Sequence, residues 1–157
     1  LAITGDAKRR PLLAREFNED RPALSPDGRW LAYESDESGR YEIYVRPFPN
    51  IQQSKQQVSE GGGQEPRWSP DGGTLYFLGP KSVMATQIRT DPAFSLQPPH
   101  PVLDRAKYSF QGAARQYDVA PGGQRLLLAK AAAPGARPRI VVVTNWLEEL
   151  KRLVPAN

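Results

Sequence analysis

Apolar residues in this chain come in short runs, and pairs of runs flank a recurring turn. Pro22-Ala23-Leu24 precedes Ser25-Pro26-Asp27-Gly28, and Trp30-Leu31-Ala32-Tyr33 follows it. The same arrangement returns 44 residues later, with Pro66-Arg67-Trp68 before Ser69-Pro70-Asp71-Gly72 and Thr74-Leu75-Tyr76-Phe77 after it. A weaker third copy, Ala120-Pro121-Gly122-Gly123, lies a further 51 residues on, between Tyr117-Asp118-Val119 and Arg125-Leu126-Leu127-Leu128. Proline presets φ for the first corner of such a turn. Aspartate bonds back to nearby N–H groups, and glycine takes up φ > 0. The third copy has Gly122 in place of the aspartate, so its turn is expected to lack the side-chain bond.

Strand–turn–strand at a fixed period is the signature of a repeat architecture. About 40–45 residues and four short strands per repeat indicate a β-propeller blade. The first full repeat is expected to have strands at Pro22–Ser25, Arg29–Ser35, Tyr41–Arg46 and Lys55–Ser59. Tyr41, Ile43 and Val45 alternate onto one face of the third of these. The second repeat follows Gly61-Gly62-Gly63 with strands at Glu65–Ser69, Thr74–Leu78 and Ser82–Arg89 and a weak fourth around Val102-Leu103. The proline-rich segment 91–111 holds its seven extra residues. The third repeat has Gln116–Val119, Arg125–Lys130 and Arg139–Thr144, and the unbroken run Ile140–Val143 predicts burial on both faces.

The two ends differ. Leu1–Thr4 and Pro11–Ala14 predict a hairpin about Gly5-Asp6, and the chain begins in what reads as mid-strand, so it is expected to be a piece of something longer. After Asn145, Trp146, Leu147, Leu150, Leu153 and Val154 form an apolar stripe at helical spacing. Asn145 is a cap with Glu148 completing a capping box, and Pro155 stops the helix. The expectation is an all-β partial β-propeller, about three four-stranded blades plus part of another, closed by a short C-terminal helix. Its boundaries are a blade remnant at 1–17, blades at 18–60, 61–112 and 113–145, and the helix at 146–154. Open blade faces at both ends would need the remaining blades of a parent propeller to cover them.

Composition changes this picture little. The 157 residues are 39% hydrophobic and 24% charged, which is globular. Net charge is +4, but Lys8-Arg9-Arg10 is the densest basic cluster, too short a stripe for nucleic-acid binding. No apolar run is long enough for membrane insertion by this segment. There are no cysteines, which excludes disulfides and thiolate metal sites and suits any redox compartment.

Candidate chemistry is sparse. The single histidine, His100, lies between two prolines in a predicted loop, with no second histidine to share a metal. No Gly-x-Ser-x-Gly elbow serves a nucleophile, and Ser25 and Ser69 read as turn formers. Gly79-Pro80-Lys81-Ser82 resembles the end of a phosphate loop, but Pro80 removes a donor, so it reads as a hairpin turn. Asp27 and Asp71 lack the spacing of a calcium loop. No catalytic residue, cofactor or metal is expected. By propeller geometry, the loops leading into each innermost strand share one face with the loops joining strands two and three. The candidate binding-face residues are therefore Asn18, Glu19, Asp20, Arg21, Asp36, Glu37, Gln64, Glu65, Arg115 and Gln116. Their mixed charge suits a polar peptide or protein, and the same residues read equally well as ordinary solvated loops.

The segment Ser25 to Tyr33, with Ser35-Asp36-Glu37-Ser38-Gly39 and Glu42-Ile43-Tyr44-Val45 after it, resembles the WD40-like repeat of TolB-type propellers. Pro66–Gly72 and Tyr117–Pro121 resemble later blades. The tail Val141-Val142-Val143-Thr144-Asn145-Trp146-Leu147-Glu148-Glu149-Leu150 resembles the C-terminus of bacterial proteins that join a serine/threonine kinase domain to a propeller sensor. That resemblance implies a non-catalytic, extracytoplasmic module for protein interaction or ligand sensing, with any kinase domain outside this chain. The alternatives are a TolB-like periplasmic scaffold for a lipoprotein partner and the substrate-gating propeller of a prolyl oligopeptidase-like enzyme.

Overall fold

A computed structural model of the chain describes residues 11–13, 16–91, 93–108, 116–130 and 139–144, with 107, 130 and 139–144 as backbone alone. The expected N-terminal hairpin (apart from 11–13), the C-terminal helix and the side-chain burial of Ile140–Val143 lie outside what is described. Three antiparallel sheets follow one another. The first contains β1 (Glu19–Leu24), β2 (Trp30–Ser35), β3 (Glu42–Pro47) and β4 (Gln56–Gln57), in that spatial order. The second contains β5 (Gln64–Trp68), β6 (Thr74–Leu78), β7 (Ser82–Arg89), β8 (Ser95–Leu96) and β9 (His100–Asp104); β8 and β9 pair with opposite ends of β7. The third contains β10 (Tyr117–Val119), β11 (Arg125–Lys130) and β12 (Arg139–Thr144). Among the described residues the one helical element is a 3-10 turn at Arg105–Lys107, and no helix is long and apolar enough to cross a membrane.

The first two sheets bury apolar side chains on both faces, which is why β2, β3 and β6 are almost wholly buried. Ala32, Ile43 and Val45 of the first sheet meet Trp68, Leu75 and Phe77 of the second. Tyr76, Leu78 and Val83, on the other face of the second sheet, meet Tyr117, Leu126 and Leu128 of the third. Leu31, Tyr33 and Tyr44 form a separate cluster on the far face of the first sheet. Consecutive meanders stacked face to face in this way are β-propeller blades.

The turns behave as the sequence predicts. Gly28 N donates to Ser25 O and Gly72 N to Ser69 O, both at 2.9 Å. Ser25 Oγ donates to Asp27 and accepts from Trp30 N; Ser69 does the same with Asp71 and Thr74. In the third copy Gly123 N still donates to Ala120 O, while Gly122 takes φ +94°. The turns also stack between blades: a Cβ on Gly72 would lie 3.6 Å from Pro26 Cδ, and one on Gly123 3.8 Å from Pro70 Cδ.

Several expectations are corrected. The innermost strands start earlier than predicted, so Glu19, Asp20 and Arg21 belong to β1 and Gln64 to β5. The cause is a register shift in each strand, between Asp20 and Ala23 and between Gln64 and Arg67, that carries the chain past a proline without breaking the sheet. Lys55–Ser59 pairs as a strand at Gln56–Gln57 alone, because Ser59 Oγ rather than a backbone carbonyl accepts from Ile43 N. His100 lies in β9 opposite Ala85, not in a loop. The extra residues of the second repeat form β8, and Phe94 beside it packs on Trp30 of the first sheet with ring centroids 4.3 Å apart.

The turn network makes a stability prediction. Ser25 first, then Arg29, hold the Asp27 carboxyl at about 2, below its ordinary 3.8. The folded state thus binds this proton less tightly than the unfolded one. The stabilisation is present above pH 3.8 and is lost as pH falls through about 2. The side chain is 42% exposed, so solvent screening keeps the effect small, about 1 kcal/mol for Asp27→Asn at neutral pH. Gly72→Val, forced to φ +73°, should lose about 1–3 kcal/mol. Denaturant midpoints at pH 7 and pH 2 check both: the Asp27→Asn deficit should shrink in acid, and the Gly72→Val deficit should not.

Candidate functional site

Arg21, Glu65 and Gln116 occupy the same position in the three repeats, four residues before Ser25, Ser69 and Ala120. Arg21 and Glu65 each precede a proline and adopt left-handed backbone, φ 51° and 53°. At the bulge, this conformation aims their side chains along the face of the propeller toward neighbouring blades. One Glu65 carboxylate oxygen accepts from Arg21 Nη1, and the other accepts from Gln116 N at 3.1 Å. Glu65 N donates to Glu34 Oε2 at 2.8 Å, Arg21 Nε stands 3.2 Å from Glu34 Oε1, and Tyr117 Oη donates to Glu65 O at 2.7 Å. All three sheets are tied at this one residue.

The site is polar and mostly dry. Glu65 is 1% exposed and Glu34 2%. Burial raises the Glu34 carboxyl above its ordinary value, opposed by the Glu65 N–H and by Arg21. Burial pushes the Tyr117 hydroxyl well up. Arg105, whose Nη1 donates to Gly79 O, is lowered by burial and held charged in part by Glu65. A second buried carboxylate, Glu42, accepts from Ser59 Oγ and from Gly62 N.

The predicted binding-face residues divide accordingly. Arg21, Glu65 and Gln116 converge in the network, although Glu65 is buried rather than displayed in a loop. Asn18 and Asp36 join at the rim, with Asn18 N and Nδ2 donating to the two Asp36 oxygens at 2.9 and 2.7 Å. Glu37 pairs with Lys55 at 2.7 Å, away from the network. Asp20 and Gln64 are exposed, Glu19 is half-buried, and Arg115 lies outside the described residues. Sequence reasoning missed Glu34, Glu42 and Tyr117. A glutamate within or at the edge of an apolar strand, as in Tyr33-Glu34-Ser35 and Glu42-Ile43, was the available signal.

Beside the network, two open cavities lie between the first and second sheets. The inner one, about 290 Å³, has Arg40 and Tyr41 on one wall and Leu78 and Arg105 on the other. The outer one, about 460 Å³, is lined by Val58, Phe77, Met84, Leu96 and three prolines, together with Glu60. Among the described residues no group of three or more His, Cys, Asp or Glu could hold a metal.

This architecture defines a β-propeller segment. No protein-family model and no curated protein matches the chain. Solved structures do. The chain is similar to oligogalacturonate lyase from Vibrio parahaemolyticus, with TM-score 0.61 and 13% identity over 85% of this chain and 40% of that one. It is also similar to a putative TolB from Agrobacterium tumefaciens, with TM-score 0.53 and 18% identity over 78% of this chain and 44% of that one. A further likeness is to an oligogalacturonate lyase in complex with manganese, with TM-score 0.56 and 16% identity over 80% of this chain and 36% of that one. The chain therefore spans less than half the length of each of these three proteins, and at these identities the likeness establishes the fold alone.

Proposed function

We propose that this segment is a binding module: a face of a propeller that takes a protein or peptide partner rather than one that performs chemistry. The observation that carries the reading is the convergence of Arg21, Glu65 and Gln116, one from each blade, on the buried Glu65 carboxylate, with Asp20 and Gln64 exposed next to Arg21 and Glu65 in the chain. Such a lattice holds the surrounding surface rigid, so a partner meets a preformed surface and little ordering entropy opposes binding. The side chains of Arg21 and Glu65 engage one another, Glu34 and the Gln116 N–H, as expected of a support and not of a reacting centre. The tail Val141–Leu150 supports the finer reading that the parent protein joins a serine/threonine kinase to an extracytoplasmic propeller sensor, and the cysteine-free sequence is compatible with that location.

The absence of cysteine makes the test direct. A photo-cross-linker on Gln64→Cys should capture a protein from the extracytoplasmic fraction of the source cells. The same label on Gln124→Cys, beside the turn between β10 and β11 on the opposite face, should not. Equal capture from both sites, or capture from Gln124→Cys alone, overturns the reading.

A further inference from the structure

The two cavities between the first and second sheets form one groove. Gly62, Gly79 and Pro80 line both. Gly62 and Pro80 are the waist between them, since a Cβ on Gly62 would lie 3.4 Å from Pro80 Cγ. The two halves differ in chemistry. The inner half is lined by two arginines and no carboxylate. Arg40 has a side chain 66% exposed and stands 4.0 Å from Glu42. The Glu42 carboxylate is already engaged by Ser59 and Gly62 N. The N–H groups of Gly62, Gly63 and Gly79 donate to Glu42, Tyr41 O and Ser82 O, so attraction for an anion here comes from the guanidinium groups and not from the glycine backbone. The outer half presents Phe77, Met84 and Leu96. Methionine in such a wall adapts to the shape of an aliphatic guest. Each half approaches or falls within the size range of ligand sites, about 300–1,000 Å³.

We infer that this groove binds an extended segment of a partner protein that carries an acidic side chain two residues from an aliphatic one. Residues i and i+2 of an extended peptide point the same way, which suits two subsites separated by a waist. The acid lies between Arg40 and Arg105, and the aliphatic side chain enters the outer cavity against Phe77 and Met84. The inference rests on the binding-module reading and names its partner's chemistry.

The test uses the whole chain, isotope-labelled, and three capped peptides: Ser-Glu-Ser-Leu-Ser, its Gln version and its version with Ser for Leu. The first should shift the amide signals of Gly62, Gly63 and Gly79 with Kd about 0.1–1 mM. Each altered peptide should bind about tenfold more weakly, the loss expected when one charge-assisted bond or one buried aliphatic group is removed. Arg40→Glu should abolish the preference for Glu over Gln, and Arg40→Gln should reduce it. Both changes are at an exposed side chain, and thermal melts confirm that the fold is kept. Equal binding of the Glu and Gln peptides, shifts confined to other glycines, or no shift at several millimolar peptide overturns the inference. Cross-linking from Gln64→Cys together with any of these outcomes leaves the binding-module reading standing and removes the acidic–aliphatic segment as the groove's occupant, since Gln64 itself lines the inner half.

Discussion

Glu65→Ala is expected to lower the unfolding free energy by about 3 kcal/mol. Glu65 is 1% exposed, and its carboxylate serves two blades at once, taking Arg21 Nη1 on one oxygen and Gln116 N on the other. Removing it leaves the Gln116 N–H and Arg21 Nη1 facing a void, while Arg21 Nε keeps Glu34 at 3.2 Å. Breaking a buried pair from one side costs about 3–5 kcal/mol. Arg21 is 27% exposed and recovers some hydration, which places the loss at the low end of that range. Glu65→Gln keeps an acceptor and the volume, so its loss should be smaller, about half as large. The main-chain bonds of residue 65 to Glu34 and Tyr117 survive both changes. Gln64→Ala, one residue away and exposed, should change stability by no more than about 0.5 kcal/mol. Guanidinium titration of the four proteins checks this order. A Glu65→Ala loss equal to that of Gln64→Ala would mean that the lattice does not join the blades.

The same residue shows what the sequence conveys about this protein and what it withholds. The strands around the Ser-Pro-Asp-Gly turns were legible because local chemistry decides them: proline and glycine fix the corner, and apolar runs on either side need burial. Thr74–Leu78, Ser82–Arg89, Arg125–Lys130 and Arg139–Thr144 coincide with β6, β7, β11 and β12. Arg21 and Glu65 read in the sequence as candidate binding-face residues or, equally well, as ordinary solvated loop residues, whereas the structure sets Arg21 inside β1 and buries Glu65 in β5. A proline after each marked a strand start, and Gly61-Gly62-Gly63 marked a linker, so both signals pushed the strand boundary too late. Pairing from the neighbouring strand overrides them, at the expense of a bulge that one sequence read alone does not announce. The partners of Glu65 lie 31 to 52 positions away, and no local pattern joins Glu34, Arg21, Gln116 and Tyr117. The repeat could have done so. Arg21, Glu65 and Gln116 share one place in the period, and complementary charges at equivalent positions of adjacent blades are an indicator of inter-blade pairing. The groove was not legible at all, because its walls come from the waist between two blades and from a segment whose length breaks the repeat.

Gly63→Ala is expected to be more damaging than a one-carbon change suggests. Gly63 has an ordinary φ, so backbone strain is not the reason. An added Cβ would lie 2.4 Å from Ser59 Oγ and 2.8 Å from Ile43 Cγ1. Ile43 is wholly buried in the core between the first two sheets and has nowhere to retreat. Ser59 is 1% exposed, and its hydroxyl accepts from Ile43 N while donating to Glu42. A displaced Ser59 therefore leaves a strand N–H and a buried carboxylate short of partners. Overpacking alone costs about 1–3 kcal/mol, and each buried polar group left unsatisfied adds about as much again. The expected loss is about 3–4 kcal/mol. Gly61→Ala, two residues away with no atom within 4 Å of its Cβ, supplies the contrast: φ +84° strains the backbone but disturbs no packing, and about 1 kcal/mol should be lost. A double variant, Gly63→Ala with Ser59→Ala, separates the two contributions. It should relieve the clash with the hydroxyl yet leave Ile43 N unpaired and Glu42 with Gly62 N but without its Ser59 donor, so it recovers little of the loss. Full recovery would show that the steric contact alone matters and that the Ser59–Glu42 bond contributes nothing to holding the linker between the blades.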